Sequence, residues 1–93
     1  MSGTTISSSD LDIRRRKALY RAWHRGLREV DLILGAFADS EIARLGDAEL
    51  DLFEKLMDEA DGDILKWVTG EKPVPAEHDT AVFARVCAYR GQV

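Results

Sequence analysis

The chain has 93 residues, 45% of them hydrophobic and 32% charged, with a formal net charge of −4. That length supports one domain with a single modest core and leaves no room for a large internal substrate cavity, and the composition excludes a disordered chain. One cysteine, Cys87, excludes an intrachain disulfide and suits a reducing compartment, and no apolar run reaches the roughly 18–20 residues needed to cross a bilayer.

The stretch Met1 to Asp10 is rich in Ser and Thr, with no basic residue and no apolar segment, so residues 1–9 read as a flexible tail rather than a secretory or transit peptide. Together with the lone cysteine this suggests a bacterial cytoplasmic protein. The domain proper is expected over residues 10–93. A first helix starts near Ser9 or Asp10, both good N-caps, and runs to about Trp23 or His24, with Leu11, Ala18, Leu19, Ala22 and Trp23 at helical spacing. Gly26 stands where a glycine closes a helix in the left-handed conformation.

A second helix begins at Leu27 or Arg28, with Glu29 and Asp31 in its first turn and Val30, Ile33, Leu34, Phe37 and Ile42 as its apolar stripe. Gly35, inside that stripe, marks close helix packing. Gly46 ends this helix, and Asp47 caps a third whose inner face is Leu50, Phe53, Leu56 and Met57. Asp61-Gly62-Asp63 reads as a turn capping a short fourth helix, Ile64 to Thr69, closed by Gly70. The prolines Pro73 and Pro75 keep the next stretch extended, and a last helix runs from about Glu77 to Arg90 with Val82, Phe83, Val86 and Tyr89 inside. No alternating β-branched run occurs. The expected fold is all-α, a compact antiparallel five-helix bundle in a single domain.

Charge is unevenly spread. Ile13 to Arg28 holds seven basic residues and no acid, whereas Asp39 to Asp63 holds ten acids against Arg44 and Lys55. The pattern reads as a dipolar molecule with a basic docking face. Tyr20 and Trp23 are interleaved with Arg16, Lys17 and Arg21, so one of the two is a candidate for an exposed partner contact. A nucleic-acid-binding regulator using the Arg14–Arg28 helix is the alternative reading. It is disfavoured because the next helix opens with acids and continues apolar, which makes a poor recognition helix.

Catalytic and metal signatures are sparse. His24 and His78 stand far apart and neither lies one helical turn from another ligand, so no zinc pattern emerges. Cys87 beside Val86 reads as a small core residue rather than a nucleophile. There is no phosphate loop, dinucleotide fingerprint or nucleophile elbow, and the carboxylates read as solvated surface. The sequence therefore points to a binding protein, not an enzyme, with no metal and no stably bound cofactor.

The segment Arg25-Gly26-Leu27-Arg28-Glu29 is the most informative. A glycine at a tight inter-helix corner lets a partner backbone approach, Arg25 and Arg28 offer planar donor forks, and Glu29 sits where a helix dipole favours an anion and can orient a neighbouring Arg. The run Trp23 to Asp39, with its Arg-Gly-x-x-Glu motif met by Arg25, Gly26 and Glu29, resembles the FAD assembly factor family of succinate dehydrogenase, the flavinators of bacteria and mitochondria. Leu65-Lys66-Trp67-Val68-Thr69-Gly70 is similar to the family's second recurring stretch, and the likeness extends over about Arg14 to Arg90.

The resemblance implies a five-helix bundle that binds the flavoprotein subunit of succinate dehydrogenase, and by extension that of fumarate reductase, and promotes covalent attachment of FAD to a client histidine. It places Gly26 and its neighbours on the docking surface. The residues singled out for partner binding are Arg25, Gly26 and Glu29, supported by Arg28, Arg21 and Trp23. FAD belongs to the client, and the free chain is expected to be a monomer that neither binds nucleic acid nor enters a membrane.

Overall fold

A computed structural model describes residues 11–90, so the tail expected over residues 1–9 and the caps expected at Ser9 or Asp10 lie outside the described residues. Asp12 instead caps the first helix, accepting the Arg15 backbone N–H at 3.3 Å, and α1 spans Ile13–Trp23. Then follow α2 (Arg28–Glu41), running on into a 3-10 turn at Ile42–Arg44, α3 (Asp47–Met57), α4 (Asp61–Val68), a second 3-10 turn at Ala76–His78, and α5 (Ala81–Arg90). The described residues form the expected all-α architecture, five α-helices around one core.

The core is built from the predicted apolar stripes. Val30, Leu34 and Phe37 of α2, Leu50 and Phe53 of α3, Ile64 of α4 and Val86 of α5 are each at most 1% exposed. The rings of Phe37 and Phe53 meet at 5.5 Å, and Tyr89 closes edge-on against Phe37 at 6.2 Å. Cys87 is half-buried against this cluster.

Several boundaries differ from the sequence expectation. Asp61-Gly62-Asp63 is not a turn ahead of α4 but its first turn, with Ala60 as N-cap. Asp61 thereby meets the positive end of the α4 dipole as well as its own partners. The last helix opens at Ala81 rather than Glu77, because the chain after Pro75 folds into the 3-10 turn and the Thr80 hydroxyl then caps α5 by accepting the Phe83 N–H at 3.2 Å. Gly46, not Asp47, is the N-cap of α3, and its N–H donates to the Glu49 carboxylate at 2.9 Å. Gly26 is not in the left-handed conformation. Among the described residues only Gly70 is, at φ 81°, and it closes α4 as expected.

The charged blocks interlock rather than forming opposed faces. Arg14 of α1 grips Glu54 of α3 through two nitrogens, at 3.1 and 2.7 Å, and also contacts Asp51. Arg15 pairs with Asp12 at 3.0 Å and reaches Asp47 at 3.5 Å, while Arg21 holds Asp58 at 2.9 Å. On the other side Arg85 bridges Glu41 and Glu49 at 2.7 and 3.0 Å, tying α5 to α2 and α3. Exposed pairs of this kind each contribute at most about 1 kcal/mol. Together they tie α1 and α5 to α3.

The helices α1 and α2 pack tightly at Gly35, which is buried. A Cβ placed there would stand 2.4 Å from Trp23 Cδ2. The indole fills the space that glycine leaves, the close packing that the position of Gly35 suggested. Gly35→Ala is expected to force the two helices apart and lower stability by about 1–3 kcal/mol, measurable as a drop in the urea midpoint with the slope unchanged.

Candidate functional site

The corner between α1 and α2 is held by one carboxylate from the far side of the bundle. His24 ends α1 with its N–H on the Arg21 carbonyl at 3.3 Å, and Leu27, an N-cap without a side-chain acceptor, starts α2. Asp61, on the first turn of α4, fills that gap. Its Oδ2 accepts the backbone N–H groups of Gly26 at 2.6 Å and Leu27 at 3.1 Å, and its Oδ1 accepts Arg25 Nε at 2.7 Å. One carboxylate thus lies at the N-termini of both α2 and α4, where both dipoles favour it.

Arg25 completes the clamp. Its terminal nitrogens donate to the Met57 carbonyl at 2.6 Å and the Glu59 carbonyl at 3.0 Å, so it also ties off the C-terminal end of α3. Its backbone N–H is held by Asp31 from the first turn of α2. The Arg25 and Asp61 side chains are only 10% and 15% exposed. Burial pushes the Asp61 carboxyl upward, but the hydrogen bonds from the Arg25 guanidinium and from the Leu27 and Gly26 N–H groups outweigh it, and the group lies below its ordinary value.

This geometry explains Gly26 differently from the sequence reading. The requirement is not a left-handed backbone but close approach by an internal group. A Cβ at Gly26 would stand 3.1 Å from Asp61 Oδ2, so any side chain crowds the carboxylate that holds the corner. Arg25 is likewise not an open donor fork, since Nε and both terminal nitrogens are engaged within the chain. Nor does Glu29 orient an Arg. It is exposed on the first turn of α2, and the residue orienting Arg25 is Asp61.

The other candidates separate by role. Arg28 is exposed beside Glu29, and Leu27 is 38% exposed. Arg21 is engaged with Asp58, and Trp23 is half-buried against Gly35, with its Nε1 buried and without a hydrogen-bond partner among the described residues. The structure thus brings Arg25 and Gly26 together with Asp61 as a frame and leaves Leu27, Arg28 and Glu29 projecting from it. Asp61 was missed because 36 residues separate it from Arg25 and nothing in its neighbourhood distinguishes it from other acids. Asp61-Gly62-Asp63 reads as a turn in sequence, which conceals that a helix aims Asp61.

One group of potential metal-ligating atoms occurs among the described residues. Glu59, Glu77 and His78 each offer an atom, all within 4.8 Å of one another. His78 Nε2 lies 2.7 Å from Glu59 Oε2, and its buried ring packs 5.5 Å from that of Trp67. Those contacts account for it as a paired core histidine. No helix among the described residues is long and apolar enough to cross a membrane.

The corner lies within a stretch that matches a known protein family. Residues 16–90 match the protein family described as flavinator of succinate dehydrogenase. The chain belongs to that family. Similar proteins include a mitochondrial succinate dehydrogenase assembly factor 2 from Mycosarcoma maydis, 48% identical over 74 residues, which cover 76% of this chain and 31% of the relative. Another of the same name, from Dictyostelium discoideum, is 36% identical over 78 residues, covering 84% of this chain and 55% of the relative. The FAD assembly factor SdhE of Acetobacter pasteurianus is 29% identical over 85 residues, covering 91% of this chain and 78% of the relative. The chain therefore spans between about a third and about four fifths of the length of these three relatives. The family match contains both halves of the clamp, Arg25-Gly26 and Asp61.

Asp61→Asn is expected to leave the Arg25 charge buried without its counter-ion and to cost about 3 kcal/mol. The pH dependence has a definite sign. Because the folded-state value of Asp61 is depressed, its stabilisation is present above the ordinary carboxylate value of about 4 and is lost as pH falls through the folded value. Denaturant titrations between neutral and acid pH should therefore show a flatter acid limb in Asp61→Asn than in the parent.

Proposed function

We propose that this chain is an assembly factor that docks on the flavoprotein subunit of succinate dehydrogenase and promotes covalent attachment of FAD to it, with the fumarate reductase flavoprotein as a second client. The observation that carries the proposal is the family match over residues 16–90, which includes a corner fixed in place by Asp61 and presenting Leu27, Arg28 and Glu29 outward.

In this reading the chain is not an enzyme. Asp61 and Arg25 are committed to holding backbone, and the corner acts by position. A rigid docking element stabilises one arrangement of the client's domains, and the bond between flavin and histidine forms within the client. FAD stays with the client, and the chain binds no cofactor of its own. Arg25 and Gly26 act by shaping the corner, Arg28 and Glu29 by touching the partner, and Arg21 and Trp23 by setting α1 behind it. The free chain is a monomer. A cytoplasmic, bacterial setting is the proposal that suits the single cysteine, although relatives carry both mitochondrial and bacterial names.

Nucleic-acid binding is the weaker reading. Four of the seven basic residues between Ile13 and Arg28, namely Arg14, Arg15, Arg21 and Arg25, are ion-paired with acids of the same chain. Phosphate binding draws its affinity from cations that can release counter-ions, and these are already spent.

In a strain lacking the gene for this chain, covalent flavin on the flavoprotein subunit, read by in-gel fluorescence, should fall sharply and return with the wild-type chain. Arg28→Ala and Glu29→Ala should restore it poorly, with binding to the subunit weakened about tenfold, or about 1.4 kcal/mol, and folding stability within about 0.5 kcal/mol of the parent. Full flavinylation in the deletion strain contradicts the proposal.

A further inference from the structure

The outward face of α1 has no packing partner among the described residues. Ile13, Lys17, Tyr20 and His24 follow one another at three- and four-residue spacing, so they form a single stripe opposite the buried Ala22. Ile13 is 62% exposed and Tyr20 64% exposed, the two most exposed of the large hydrophobic residues described. Arg16 lies beside the stripe, and Ile13, Arg16, Lys17, Tyr20 and Arg21 line a shallow groove. A second concavity, lined by Tyr20, Arg21, His24, Arg25 and Gly26 with Asp61, continues from it to the corner. The groove and the corner share Tyr20 and Arg21, so they form one surface.

Two features mark this face as more than a solvated helix side. The Tyr20 ring is held in place, stacked on His24 with centroids 3.8 Å apart and planes 15° apart, while His24 Nδ1 donates to the Tyr20 carbonyl at 2.7 Å. An aromatic ring fixed before binding loses little freedom when it is covered. The charge is also selective. Arg14, Arg15, Arg21 and Arg25 are neutralised by acids of α3, α4 and the α1 cap, whereas Arg16, Lys17 and Arg28 make no ion pair with any described residue. Between Ile13 and Arg28 the fold thus pairs four cations internally and keeps three outward, two of them alongside exposed apolar side chains.

We infer that the α1 face from Ile13 to His24 is an interaction surface for an acidic, amphipathic segment of a protein partner, one that sets an apolar side chain against Tyr20 and Ile13 and carboxylates against Lys17 and Arg16. The surface extends the corner at Gly26 along α1. Its identification with the flavoprotein subunit rests on the function proposed above. Alternating apolar and cationic side chains suit a polypeptide better than a phosphate backbone, which offers nothing for Ile13 to cover.

The test uses the full chain and the isolated flavoprotein subunit. Tyr20→Ala and Lys17→Glu, both at exposed positions that leave the thermal midpoint near that of the parent, are each expected to weaken binding at least tenfold. The parent's affinity should fall with added salt, and that of Lys17→Glu less steeply. A photo-crosslinking residue at position 20 should attach to a segment of the subunit in which Asp or Glu flanks an apolar residue. Unchanged affinity in both variants, while Arg28→Ala weakens binding, confines docking to the corner, overturning this inference and leaving the proposed function intact. A crosslink to a neutral or basic segment, or to a second copy of this chain, overturns it too, as does a nucleic-acid gel shift that Lys17→Glu abolishes. Absence of binding by the parent chain overturns both readings.

Discussion

The structure turns on the carboxylate of Asp61. It sits at the N-termini of two helices, accepts two backbone N–H groups from the loop joining α1 to α2, and pairs with a guanidinium that in turn caps two carbonyls near the end of α3. Four segments are therefore tied through one side chain that is only 15% exposed. A buried pair with one member missing is far worse than no pair, so the corner is either held as a unit or lost as a unit. This lets a loop without a left-handed glycine or a side-chain cap of its own behave as a rigid element. In the docking role proposed above, that rigidity lowers the ordering cost a flexible loop would impose on binding.

The same economy governs the remaining charge. A helix with five cations in its first nine residues, Arg14 to Lys17 and Arg21, invites reading as a nucleic-acid or membrane surface. The fold directs Arg14, Arg15 and Arg21 onto acids and leaves Arg16 and Lys17 outward. Sequence charge is thus a poor guide to surface charge here, because the basic and acidic blocks lie in helices packed against each other. Exposed pairs add little to stability, but by choosing which cations stay free they shape the field a partner meets.

The fold was largely legible in the sequence because helical periodicity reports burial directly. Val30, Leu34, Phe37, Leu50 and Phe53 were identified as inward residues and are buried, and Gly35 signalled the close approach that Trp23 fills. Helix starts were less legible. A cap can be an unremarkable Ala60 or Gly46, and a Pro-Ala segment can take a 3-10 turn before the helix that follows it. The site was half legible. Arg25, Gly26 and Glu29 stood out as a motif, yet their physical roles depend on a residue 36 positions away from Arg25, and long-range pairing of one acid among ten leaves no local trace. Gly26 was singled out for its freedom of backbone when what it supplies is the missing Cβ that lets a carboxylate close on it. Tyr20 and Trp23, equivalent by sequence, are divided by about 60° around the helix: Trp23 turns inward to Gly35 and Tyr20 outward to solvent.

Amide hydrogen exchange at Gly26 and Leu27 in the free protein tests the central claim most directly. Both residues lie in an exposed connection, where unbonded amides exchange at the rate of open chain. If Asp61 holds them as described, their protection should approach that of core amides in α2, opening only with global unfolding, and it should collapse together at both positions when the pH is lowered through the Asp61 titration. Exchange at open-chain rates for either amide at neutral pH would contradict the account.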